Sequence, residues 1–186
     1  MPAPRLIMIA IAFVLSAPPA SAQPRQAPSG ATDITHSDFT TVLKSMNPDG
    51  VADHQIKVVD IGKYNVAVGI LHRAAKAKQS AIAHSQVTEI YYVIAGAGTF
   101  VTGGTITDPV PAAADGTVVK VLVGPSTNGS GVSGGQSRTI GPGDVIIVPP
   151  GVAHWFSAIE KDLDYLVVRV DADHVLPAGY VHPLVK

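Results

Sequence analysis

A histidine and a glutamate five positions apart, His84 and Glu89, sit in the stretch SAIAHSQVTEIYYVIAGAG, just ahead of an aromatic and apolar run. Both residue types ligate metals and move protons. The chain has no cysteine, so an ion here is held by nitrogen and oxygen donors rather than thiolates. Such donors suit Fe, Mn, Zn, Ni or Cu and do not rank them. Tyr91 shares strand parity with Glu89 and so shares its face. Its hydroxyl either serves the site, as proton donor or hydrogen-bond partner, or is the satisfied end of a core aromatic. Tyr92 then points the other way.

These side chains need elements to place them. The 186 residues suit one domain, and 46% hydrophobic content is enough for a core. Charged residues make up 15% and the net charge is −1, so nothing steers the chain toward nucleic acid or an anionic membrane. Residues 1–22 read as a secretory signal peptide: Arg5, an apolar run from Leu6 to Leu15, then Ala20-Ser21-Ala22. A retained N-terminal anchor is the other reading of that run. Cleavage after Ala22 predicts a periplasmic or secreted protein with no membrane attachment. Residues 23–32 are expected to be a disordered linker, and 33–186 a single domain.

THSDFTTVLKSMNPDG predicts one short helix, capped by Thr35 or Ser37 and ended by the Asn47-Pro48-Asp49-Gly50 turn. The apolar period then changes from helical to alternating. Eight to ten short strands are expected, GTVVKVLVG among them. Gly96 and Gly98 are expected to end a strand at a tight turn, and Gly141 to Asp144 to form another. With 18 glycines and 15 prolines the class is all-β: a sandwich, jelly roll or barrel. The glycine-rich NGSGVSGG lacks the spaced lysine of a phosphate loop and opens no helix.

Two segments resemble the two motifs of the cupin superfamily. IAHSQVTEIYYVIAG supplies His84, Glu89 and Gly96 at the spacing of the first. GDVIIVPPGVAHWFSA supplies Gly143, Pro149, Gly151 and His154 at the spacing of the second. The resemblance implies a cupin-type double-stranded β-helix, a jelly-roll barrel, with the short helix in front. It also implies a divalent metal ion bound by His84, Glu89 and His154, and a homodimer. The chain departs from the pattern twice: Ile82 stands where the first motif has another histidine, and Ala158 where the second has an asparagine. Two histidines and one carboxylate remain, the donor set of a facial triad with open positions.

His72 is the candidate to replace the missing histidine or to line the pocket. It shares parity with Val66, Val68 and Ile70, the bulkier face of its strand, and is expected inside; a strand-end histidine half in solvent is the alternative. Phe156 is expected to line the cavity and Trp155 to lie on the outer face at a subunit contact. Arg169 is either an outward strand charge or an anion clamp. His36, His54, His174 and His182 lie near turns or tails and are expected on the surface. The resulting expectation is a small-molecule metalloenzyme of dioxygenase, lyase or isomerase type, with Tyr91 or His72 handling protons. The competing one is a non-catalytic small-molecule-binding or interaction protein on the same scaffold.

Overall fold

The computed structural model describes residues 27–186. The expected signal peptide and residues 23–26 of the expected linker lie outside the described residues. From 27 to 35 the chain carries no helix or strand. It then forms α1 (His36–Ser45). Thr35 caps this helix, accepting from the Asp38 amide while the Asp38 carboxylate accepts from the Thr35 amide. Val42 of the helix and the C-cap residue Met46 pack against Ile56, Ile70 and Val185.

Eleven strands follow, slightly more than expected: β1 (Val51–Asp60), β2 (Asn65–Arg73), β3 (Ala81–His84), β4 (Val87–Thr102), β5 (Thr105–Thr107), β6 (Val110–Pro111), β7 (Ser126–Gly129), β8 (Gly131–Ser133), β9 (Gln136–Ile140), β10 (Val145–Val148) and β11 (His154–Asp171). Two long strands organise them. β4 and β11 run antiparallel from Asp171 opposite Val87 to His154 opposite Thr102. β11 also pairs β2 and β3, which lead to β1 on one side and to β7 and β6 on the other. β4 also pairs β9 and β10. β5 and β8 make a separate two-stranded sheet.

The inward faces enclose an aromatic-rich core that includes Tyr91, Phe100, Phe156, Tyr165, Leu163 and Val167. Phe156 is part of this packed core and does not line the site cavity, where it was expected. Tyr92 points out, 49% exposed.

Two local expectations are corrected. GTVVKVLVG is not a strand: Val118–Val123 form a wide helical turn of π type, which packs Leu122 and Val123 inward. Gly96 and Gly98 do not end a strand, because β4 continues through both. Gly96 instead has φ of +85°, opposite an irregularity in β11, and a Cβ there would lie 2.0 Å from the Asp162 carbonyl oxygen. Only glycine meets both demands. Trp155 faces outward, as expected, and is half-buried, with Gly131 near its ring.

Candidate metal centre

The alternation of β4 aims Glu89 and Tyr91 inward together. His84 comes from the end of β3 and His154 from the start of β11, just after the Pro149-Pro150-Gly151 turn. The three expected ligands converge. One donor atom from each of His84, Glu89 and His154 lies within 4.8 Å of the others, and all three residues are buried. Glu89 Oε2 stands 3.0 Å from His84 Nε2 and 3.6 Å from His154 Nε2.

Backbone and hydroxyl groups orient both imidazoles. Ser126 Oγ donates to the Gly124 carbonyl, which leaves it to accept from His84 Nδ1 at 3.2 Å. His154 Nδ1 donates to the Val152 carbonyl at 3.0 Å. Each ring is thereby set with Nε2 toward Glu89, the arrangement that metal-ligating histidines use. Metal–donor bonds of about 2.1 Å at tetrahedral or octahedral angles put donors roughly 3.0–3.4 Å apart. The two spacings to Glu89, 3.0 and 3.6 Å, lie near that scale and the whole set falls within 4.8 Å, so small side-chain shifts would let the residues hold a small divalent ion.

The electrostatics agree. Burial pushes His154 down, His84 beside it adds to the shift, and the group falls to about 4. It is therefore neutral at pH 7, the form a metal-ligating imidazole needs. Burial pushes the Glu89 carboxyl up, but His84 and the Arg169 guanidinium outweigh it and hold the carboxyl well below the usual range. Tyr91 donates its hydroxyl to Glu89 Oε2 at 2.6 Å. Burial and the Glu89 charge push that phenol well above its ordinary value, so it keeps its proton. Tyr91 thus reaches the site as a group that orients the ligand carboxylate.

Arg169 is neither of the two things expected of it. It is fully buried: Nε donates to Glu89 Oε1 at 2.9 Å, Nη1 to Gln55 Oε1 at 2.6 Å and Nη2 to Asp53 Oδ2 at 2.5 Å. Its charge is matched by two carboxylates. Asp53, Gln55, Ser126 and this role of Arg169 escaped the sequence reading. Register shifts in β11 between Phe156 and Tyr165 change which parity faces inward, and no sequence period reports them.

His72 is not brought to the site. The inward residues of β2 near the cavity are Leu71 and Arg73, and His72 lies on the opposite face. Its parity with Val66, Val68 and Ile70 is correct, but that face is covered from outside by α1 and the 27–34 segment. His72 Nδ1 meets Asp164 Oδ1 at 2.7 Å and Nε2 meets the Pro48 carbonyl at 3.1 Å. Both nitrogens face acceptors, so the network favours the imidazolium. Burial alone lowers its pKa, but the Asp164 and Pro48 hydrogen bonds and the Asp164 and Asp162 charges raise it overall. A raised folded pKa gives stability that is complete below the ordinary histidine value and lost as pH rises through the folded one. Urea midpoints should therefore fall from pH 6 to pH 8.5, and His72→Leu should remove much of that fall. An unchanged slope in the variant would show that another group carries it.

His54 and His182 are not surface residues either. The Leu184 amide donates to His182 Nδ1, and His182 Nε2 lies 3.2 Å from His54 Nδ1. The pair holds the C-terminal tail against β1.

The three donors open on a cavity of about 110 Å³. Ile82, Leu71, Val118, Leu122 and Val123 form its apolar wall, and Arg73 and Asp53 its other polar members. Ile82 pairs with His154 in register, so the residue in the vacant ligand position faces the site. A larger groove of about 400 Å³, between residues 27–34 and β1–β2, carries no acid, base or metal ligand.

The sequence profile described as Cupin matches residues 65–179. A germin-like protein, subfamily T member 3, of Arabidopsis thaliana is 26% identical over 182 residues, covering 94% of this chain and 66% of its own length. Among solved structures, ectoine synthase from P. lautus aligns with a TM-score of 0.46 at 12% identity, over 80% of this chain and 81% of its own. The DMSP lyase DddQ from Ruegeria pomeroyi aligns with a TM-score of 0.43 at 17% identity, over 70% of this chain and 51% of its own. The profile spans more than half of the residues, including both motifs and the strands that carry His84, Glu89 and His154; the chain belongs to the cupin family.

Proposed function

We propose that this protein is an exported small-molecule metalloenzyme in which His84, Glu89 and His154 hold a divalent ion. The convergence of those three donors at the wall of a cavity carries the reading. A bound Fe, Mn, Zn, Ni or Cu ion would supply Lewis acidity or, for a redox-active metal, dioxygen chemistry. The protein's own part is to orient both imidazoles, fix the carboxylate through Tyr91 and Arg169, and line the reacting space with apolar side chains. Dioxygenase-type oxidation is the first choice because two histidines and one carboxylate leave positions open; lyase or isomerase chemistry follows. Elemental analysis of chain purified without a metal-binding tag should find near-stoichiometric metal in wild type and little in His154→Ala. Wild type that stays metal-free after incubation with all five salts would overturn the reading.

A second reading is a non-catalytic small-molecule-binding protein. Two observations favour it: Glu89 is already engaged by Arg169, and Ile82 removes a ligand. Turnover of any substrate by the metal-loaded protein would exclude it.

The location proposed is periplasmic or secreted, on the strength of the Ala20-Ser21-Ala22 site and the apolar run before it. The assembly proposed is a homodimer. β10 pairs with β4 on one side only, and Val145 and Ile147 on it join Tyr92 and Ile94 as a strip of exposed apolar side chains. An open apolar sheet edge is a template for another strand, and a second copy offers the same edge. Sedimentation should show a dimer for wild type and a folded monomer for Ile147→Glu. A monomeric wild type would refute the assembly.

A further inference from the structure

We propose that Arg73 anchors a carboxylate group of the molecule that occupies the cavity, which makes the ligand class a small organic acid. The proposal rests on the reading of that cavity as the ligand site.

Two arginines reach the barrel interior near Glu89, and they differ in one respect. Arg169 is neutralised by Glu89 and Asp53. Arg73 is not. Its Nε donates to the Tyr165 hydroxyl and its Nη1 to Gln79 Oε1, both at 2.9 Å and both neutral acceptors. Among the described residues, no carboxylate lies within ion-pair distance of it, and Nη2 has no protein acceptor. Its guanidinium carbon stands 4.7 Å from the Phe156 ring centroid and 5.8 Å from that of Tyr165.

Aromatic faces and neutral oxygens hold the planar group in place and partly offset its charge. They do not remove the cost of a largely buried, unmatched cation. A carboxylate would, because it meets the guanidinium fork with charge-assisted hydrogen bonds. Arg73 lines the same cavity as His84, Glu89 and His154, and its charge contributes to the depressed pKa of His154. An acid held there lies beside the donor set.

The cavity's size and walls narrow the class. A volume of about 110 Å³ is well below the roughly 300–1,000 Å³ of a pocket for a drug-sized ligand. Leu71, Ile82 and Leu122 suit a short carbon chain. A phosphate dianion fits poorly: it would find one unmatched cation, with Glu89 and Asp53 facing the same space.

The test is isothermal titration of the full mature chain with acetate and with acetamide, which has the same shape and no charge. Chelator-treated protein is used first, so that a metal–acetate bond cannot contribute, and metal-loaded protein second. Wild type is expected to prefer acetate by about tenfold or more in the chelated state, and Arg73→Met to lose that preference. Equal binding of the two probes by wild type, or a preference retained in Arg73→Met, overturns the proposal. Should Arg73→Met fail to fold, a crystal structure of wild type grown with acetate decides: a carboxylate on Arg73 supports the assignment, and its absence from Arg73 sinks it. An Arg73-dependent preference in protein that never takes up metal would keep this proposal and remove the metalloenzyme reading, so the two fail separately.

Discussion

Glu89→Ala is expected to abolish metal retention and to lower folding stability by about 3 kcal/mol or more. The size follows from what the carboxylate touches. Glu89 is 2% exposed, accepts from Arg169 on one oxygen and from Tyr91 on the other, and has His84 Nε2 3.0 Å from that second oxygen. Removing one partner of a buried ion pair leaves an uncompensated charge, at a cost of about 3–5 kcal/mol. Arg169 keeps Asp53 and Gln55, which places the expected value near the lower end. Tyr91 also loses its acceptor. Glu89→Gln separates the two effects: it keeps an acceptor for Arg169 and removes the charge, so metal retention should fall with a smaller loss of stability. Urea unfolding in chelator reads stability without any metal contribution, and elemental analysis reads occupancy. A Glu89→Ala variant within about 1 kcal/mol of wild type in chelator would show that the Arg169–Glu89 pair contributes little, as replacement of some buried pairs does.

Ile82→His is expected to tighten metal binding by about tenfold to a hundredfold, the range by which even outer-shell partners alter affinity. The backbone already carries the position. Ile82 is opposite His154 in the β3–β11 register and lines the cavity, so a histidine there adds a third imidazole to the two whose Nε2 atoms face Glu89. The same change replaces apolar wall with a polar ring. Ligand binding in the cavity should weaken for apolar molecules as metal affinity rises. Competition for metal against a chromogenic chelator gives the affinity ratio. Unchanged affinity in a folded variant would mean that the new ring does not reach the ion, and that Ile82 shapes the cavity without having displaced a ligand.

The sequence alone carried the class, the helix and the candidate metal donors. Binary alternation and glycine–proline punctuation favour strands locally, although GTVVKVLVG winds into a helical turn despite that pattern, and a capped ten-residue helix is a local event. His84, Glu89 and His154 were legible because their spacing matches a family pattern, and the barrel brings all three together. Tyr91 was legible because two residues on one strand share a face. The face of a strand that points to the site was decided only by tertiary structure. On β2 the apolar parity is covered by α1 and residues 27–34, so it took His72 outward, to Asp164, and left Arg73 at the cavity. On β11 the register shifts move the inward parity from His154 and Phe156 to Tyr165 and Arg169. The charge balance of the site depends on that shift, which joins Arg169 to Glu89 and Asp53 across 80 and 116 positions of sequence. Such pairings are set by how the strands close on one another, and no local pattern of residues contains that information.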